Sequence, residues 1–65
     1  MKDINEVITH FASRAKAAEE QKKTISARGY VPGSVDEIHY WRADGEMVAF
    51  EVVVSELKAI KAANP

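Results

Sequence analysis

The sequence predicts an α+β fold: a small α-β-β-α unit with a long N-terminal helix packed on an antiparallel hairpin and a short C-terminal helix. Three observations predict it. The first half has a helical heptad spacing, Asp44-Gly45 separates two runs rich in aromatic and β-branched residues, and Ser55 precedes a short amphipathic segment. With 65 residues, the chain is predicted to form one domain, 1–65.

The first helix is predicted from its start signal and its apolar spacing. Asp3 and Glu6 fit a capping box. Gly29 suits the position after the helix, whose last residue is predicted between Lys23 and Arg28. Between these signals the residues repeat with a 4-3 spacing, which is typical of a heptad seam interrupted by one lysine. The members of this α1 seam are Ile4, Ile8, Phe11, Ala15, Ala18, Lys22 and Ile25.

The predicted strands are residues 37–42 and 47–54. Asp44-Gly45 between them is typical of a two-residue type I′ turn, and the register of that turn decides which side chains share a face. Trp41 and Phe50 are expected to be the main buried aromatics, packed on the first helix. The face assigned to the core consists of His39, Trp41, Val48, Phe50, Val52 and Val54. The second face consists of Ile38, Tyr40, Arg42, Met47, Ala49, Glu51 and Val53.

Two further local signals complete the predicted layout. Pro32-Gly33 suits the centre of a type II turn, and Ser55 is a good N-cap for a closing helix over residues 56–63. The hairpin turn followed by Ser-Glu-Leu-Lys resembles the layout of the small α-β-β-α head-completion proteins of tailed phages. That resemblance implies a layout only, and no functional residue is carried over from it.

Composition excludes several function classes. Cysteine is absent, which removes disulfide frameworks and thiolate chemistry, and the formal net charge is only −1. The charge is unevenly spread, because residues 1–30 carry net +2 and residues 31–65 carry net −3. No apolar run approaches the roughly 20 residues that cross a bilayer, so the expectation is a cytoplasmic protein that makes no membrane contact.

Residues that could carry chemistry are few. Glu6 and His10 lie four apart on the first helix, as a metal half-site needs, but the sequence offers no third ligand at recognisable spacing, and His39 is expected to be a core or rim histidine. The serines lack the context of a nucleophile and each suits a cap, turn or surface position. We therefore expect no metal, no cofactor and no enzymatic activity.

The function predicted from these features is that of a non-enzymatic protein-binding module, such as a small inhibitor, adaptor or structural accessory protein of bacterial or phage type, acting as a homodimer. The dimer is expected to form because one copy cannot cover both hairpin faces and the long helix. The candidate interface residues are Ala15, Ala18, Lys22, Ile25, Ile38, Tyr40, Arg42, Met47 and Glu51.

Two alternatives stay open. A small nucleic-acid-associated regulator could use the basic concentration on the first helix after dimerisation, with Arg14, Lys16, Lys22, Lys23 and Arg28 as its cations. A ligand-binding or catalytic protein could instead complete its site at a subunit interface.

Overall fold

The structure is a computed structural model that describes residues 3–63, and these residues form two antiparallel helices. Helix α1 spans Ile4–Arg28 and helix α2 spans Val35–Ala63. A short connection over residues 29–34 joins them, and the molecule measures 48 × 18 × 15 Å. The architecture is a helical hairpin, which is elongated rather than globular.

The predicted α+β fold, its β-hairpin and its separate closing helix are wrong. Residues 37–42 and 47–54, together with the Asp44-Gly45 dipeptide between them, all lie inside α2, and the part of the chain that the structure describes contains no strand. Ser55 also lies inside α2 and does not cap a new helix. The resemblance to the layout of the phage head-completion proteins depended on the predicted β-hairpin, so it does not hold for this structure.

The physical reason is a second heptad seam that runs through the predicted strands. At a 3-4 spacing it places one apolar side chain per turn towards α1, and its members are Tyr40, Ala43, Met47, Phe50, Val54 and Leu57. Valine in a helix costs only a few tenths of a kcal/mol relative to alanine, and a central glycine about 1 kcal/mol. Packing of this seam against the α1 seam outweighs those costs, so tertiary contact overrides the β propensity.

Both ends of α1 lie where the sequence signals predict. The Asp3 carboxylate accepts hydrogen bonds from the backbone N–H groups of Asn5 and Glu6, at 2.7 and 3.1 Å. At the other end Gly29 has a φ of 73° and its N–H donates to the Ser26 carbonyl. These contacts satisfy backbone groups that a helix end leaves without intrahelical partners, and the prediction of this helix is confirmed.

The connection ends in a tight turn followed directly by a helix start. The Ser34 N–H donates to the Val31 carbonyl at 3.0 Å and Gly33 has a φ of 83°, which confirms the type II turn at Pro32-Gly33. The Glu37 N–H then donates to Ser34 Oγ, and the Glu37 carboxylate accepts from the Gly33 N–H at 2.6 Å. Ser34 therefore caps α2, in a variant of the capping box.

The core lies along the line where the helices touch. Four side chains are buried among the described residues, and three of them are alanines: Ala15, Ala18, Ile25 and Ala43. Phe50, expected to be buried on the first helix, contacts α1 through Phe11, with ring centroids 5.9 Å apart, but it is only half-buried. Trp41 was expected to be buried there too, but it is 58% exposed because it lies on the side of α2 away from α1.

Candidate interaction surface

The α1 members of the predicted interface lie inside the hairpin. Ala15, Ala18 and Ile25 are buried against α2 of the same chain, and Lys22 contacts Asp44 and Tyr40. The seam was correctly identified as a packing surface, but a single chain already covers it. A surface for a partner has to be sought among the exposed residues.

The α2 members of the predicted interface do not share one face of the helix. Tyr40 and Met47 are half-buried on the side of α1, and the Tyr40 ring lies 5.2 Å from that of Tyr30. Ile38 is exposed on the opposite side, and Arg42 and Glu51 are exposed as well. The grouping of these residues relied on strand alternation, and a helical period distributes them around the axis.

The opposite side of α2 instead carries a continuous apolar surface, which we call the outer stripe: Ile38, Trp41, Gly45, Val48 and Val52. The four large side chains are 66%, 58%, 49% and 55% exposed, respectively. At about 100° per residue, all five positions project within about 40° of the point opposite Ala43. Helix α2 is therefore apolar on both sides, and α1 covers only one of them.

The two helices differ sharply in their outward faces. Of the exposed large hydrophobic residues, six lie on α2 and none lies on α1, all of whose residues the structure describes. Val35 and Ile60 are the α2 members outside the outer stripe. The sequence contains a signal for this surface, which is a second 3-4 spacing at positions 38, 41, 45, 48 and 52. The predicted strands assigned these residues to two different faces, so the spacing was not recognised.

The ion pair between Lys22 and Asp44 joins the two helices. Lys22 Nζ lies 2.7 Å from Asp44 Oδ1, with both side chains less than one-third exposed, and it also lies 5.5 Å from the centre of the Tyr40 ring. The hydrogen bond to Asp44 is the main reason why the pKa of Lys22 is raised above its ordinary value. The lysine that interrupts the α1 seam thus has an acidic partner on α2.

The basic residues of α1 are largely engaged within the hairpin. Besides Lys22, Arg28 pairs with Asp36 at 2.9 Å and Lys23 with Glu19 at 3.2 Å. The guanidinium of Arg14 lies 5.9 Å from the Phe50 ring centre. The cations assumed by the nucleic-acid alternative therefore do not form a free, unpaired row.

The residues considered for chemistry are dispersed. His10 packs edge-on against Phe11, whereas His39 lies half-buried on α2 beside a shallow depression lined by Ile25 and Arg28. Residues 3–63 bring together no group of three or more side chains able to hold a metal ion. That the chain needs no metal or cofactor stays a prediction.

Neither helix, over the described residues, has the length and apolar character required to cross a membrane. No protein-family model, no curated protein and no solved structure matches this chain.

Proposed function

We propose that the chain is a non-enzymatic protein-binding module and that the outer stripe of α2 is its contact surface. The proposal rests on the unequal exposure of large hydrophobic side chains on the two helices. Each large hydrophobic residue that is exposed within a helix lies on α2. Contiguous apolar surface of this kind is rare on soluble monomers and marks interaction sites.

The spacing of the outer stripe suits recognition by helix packing. Trp41, Val48 and Val52 are separated by seven and four residues, so they align along the axis as the anchors of a helix laid on an apolar groove. Burying one such side chain contributes about 1.5–3 kcal/mol. Several anchors together can therefore supply the free energy of a specific complex, even after the cost of association.

Polar side chains border the outer stripe and complete a typical interface. Arg42 and Glu51 are exposed on opposite flanks, where they can form a rim around an apolar centre. Tryptophan and arginine are also the residues most enriched at energetic hot spots. This surface recognises a partner by contact, as an inhibitor, adaptor or structural accessory protein does.

The test is capture of partners with a matched pair of variants. Tagged wild type, Val48→Lys and Ser13→Lys would each be incubated with a lysate of the source organism, and the retained proteins quantified. Val48 is half-exposed in the outer stripe and Ser13 is exposed on α1, so both variants add one lysine without filling the core.

The expected result is a protein retained by wild type and by Ser13→Lys but lost with Val48→Lys. Far-UV circular dichroism would first show that both variants keep the helical spectrum. Retention of the same proteins by all three chains would contradict the proposal that the outer stripe is the contact surface.

A further inference from the structure

We propose that the outer stripe binds the outer stripe of a second copy of this chain, with the two α2 helices antiparallel about a twofold axis between Gly45 and Val48. This inference rests on the proposed function, since it names the partner for the same surface. It also differs from the dimer expected from the sequence, whose α1 contact residues Ala15, Ala18 and Ile25 are buried within one chain.

The first support is the exposed area of one copy. The chain exposes 4859 Å², although a folded monomer of 7.2 kDa is expected to expose only about 4,100 Å². The surplus of about 700 Å² is close to the roughly 800 Å² that each partner buries in a stable interface of standard size. A single hairpin therefore exposes about as much additional surface as a dimer contact would bury.

The second support is the weakness of the core in one copy. Its buried residues are three alanines and Ile25, and no large side chain among the described residues is fully buried. Domains below about 70–80 residues that lack disulfides and metal are commonly stabilised by oligomerisation. Pairing of two outer stripes would cover Trp41 and Val48, which lie outside the present core.

The third support is the match of large and small residues along the outer stripe. About an axis between Gly45 and Val48, Val48 of one copy faces Gly45 of the other, and Trp41 faces Val52 of the second copy. Interdigitation of large with small side chains fills an interface at native density. A parallel pair would instead place Trp41 against Trp41 and leave a gap where Gly45 meets Gly45.

The helix dipoles favour the same orientation. An antiparallel pair places the positive N-terminal end of each α2 beside the negative C-terminal end of the other α2, whereas a parallel pair would set like ends side by side.

Sedimentation equilibrium of the full chain tests the self-association. Wild type and Ser13→Lys should show the dimer mass, and Val48→Lys should weaken the dimer by at least about tenfold, because an unpaired lysine would be buried in the contact. Val52→Lys serves as a second variant if Val48→Lys loses its helical spectrum. A monomer mass for wild type up to its solubility limit would overturn the inference. A dimer unchanged in both Val48→Lys and Val52→Lys would overturn it as well.

Single cysteines test the orientation, since the native chain has none. Ile38 and Ser55 of the second copy share a layer in the antiparallel arrangement, whereas two copies of either residue lie about 25 Å apart along the axis. Under mild oxidation, Ile38→Cys mixed with Ser55→Cys should form the mixed disulfide, and neither variant alone should cross-link. Cross-linking of each variant with itself would overturn the antiparallel arrangement.

The two proposals fail in different ways. A monomeric wild type that still captures another protein through the outer stripe leaves the proposed function standing and overturns the second copy as the occupant. A wild-type dimer that Val48→Lys weakens supports both proposals, because the outer stripe is then a contact surface and a second copy is its occupant.

Discussion

Replacement of Gly45 by alanine should stabilise the chain, since Gly45 lies in the middle of α2 and an added Cβ would meet no atom within 4 Å. Glycine in a helix interior costs roughly 0.5–1 kcal/mol relative to alanine, because its backbone loses more conformational freedom on folding. Within one hairpin, no steric penalty opposes this gain. For a domain of this size, a gain of about 1 kcal/mol raises the Tm by about 4–8 °C.

The same substitution would have the opposite effect in a β-hairpin. In a type I′ turn Gly45 would need a positive φ, and alanine there costs roughly 1–2 kcal/mol. Gly33→Ala is the matched control, because Gly33 has a φ of 83° in the present structure and alanine should lower the Tm there. The sign of the Gly45→Ala shift therefore distinguishes a helical segment from a turn.

Thermal melts followed by circular dichroism at 222 nm are the assay, read at the dilute end of a concentration series so that self-association contributes little. The spectrum itself should be that of a helical protein. A Tm lowered by Gly45→Ala would refute the helical assignment of the Asp44-Gly45 segment, and with it the outer stripe.

Three other perturbations test the core, its ion pair and the absence of a cofactor. Ala43→Leu should lower the free energy of unfolding in urea by about 1–3 kcal/mol, because Ala43 is only 1% exposed between the helices. Ala49→Leu, at an exposed position of the same helix, should change that free energy by less than about 0.5 kcal/mol. Equal effects of the two substitutions would contradict the packing of Ala43 against α1. The folded-state pKa of Lys22 is raised by Asp44, so the stability contributed by this lysine is complete below its ordinary pKa of 10.5 and is lost as the pH rises through the raised value. The Tm of wild type relative to that of Lys22→Met should therefore be constant near neutral pH and fall as the pH rises above 10.5. A difference unchanged by pH would argue against the pair. Treatment with a chelator should leave the spectrum and Tm unaltered, and a loss of helix would show that a metal supports the fold.

The bounds of α1 and the turn after it were determined by local sequence. Asp3 can accept from the first free backbone N–H groups, Gly29 can adopt the positive φ that ends the helix, and Pro32-Gly33 can form one turn type. Each of these signals acts over a few residues. None depends on what the rest of the chain packs against, so a single sequence was sufficient to predict them.

The start of α2 was also readable, although the interpretation overlooked it. Ser34 and Glu37 stand at the spacing of a capping box, and both make the hydrogen bonds expected near a helix start. The competing signal, Asp44-Gly45 between aromatic and β-branched runs, was given greater weight. A cap indicates where a helix can begin, but it does not ensure that the helix continues through a central glycine.

Only tertiary structure decided between strand and helix for residues 37–54. Apolar residues there are so dense that they satisfy both a period of two and the 3-4 spacing of a seam, so periodicity alone cannot separate the two states. Contact with α1 resolves the choice, because a helix antiparallel to α1 places Phe50 against Phe11 and also brings Asp44 to Lys22. The same choice determines the candidate site, since the helix directs Ile38, Trp41 and Val48 away from α1 and leaves them exposed.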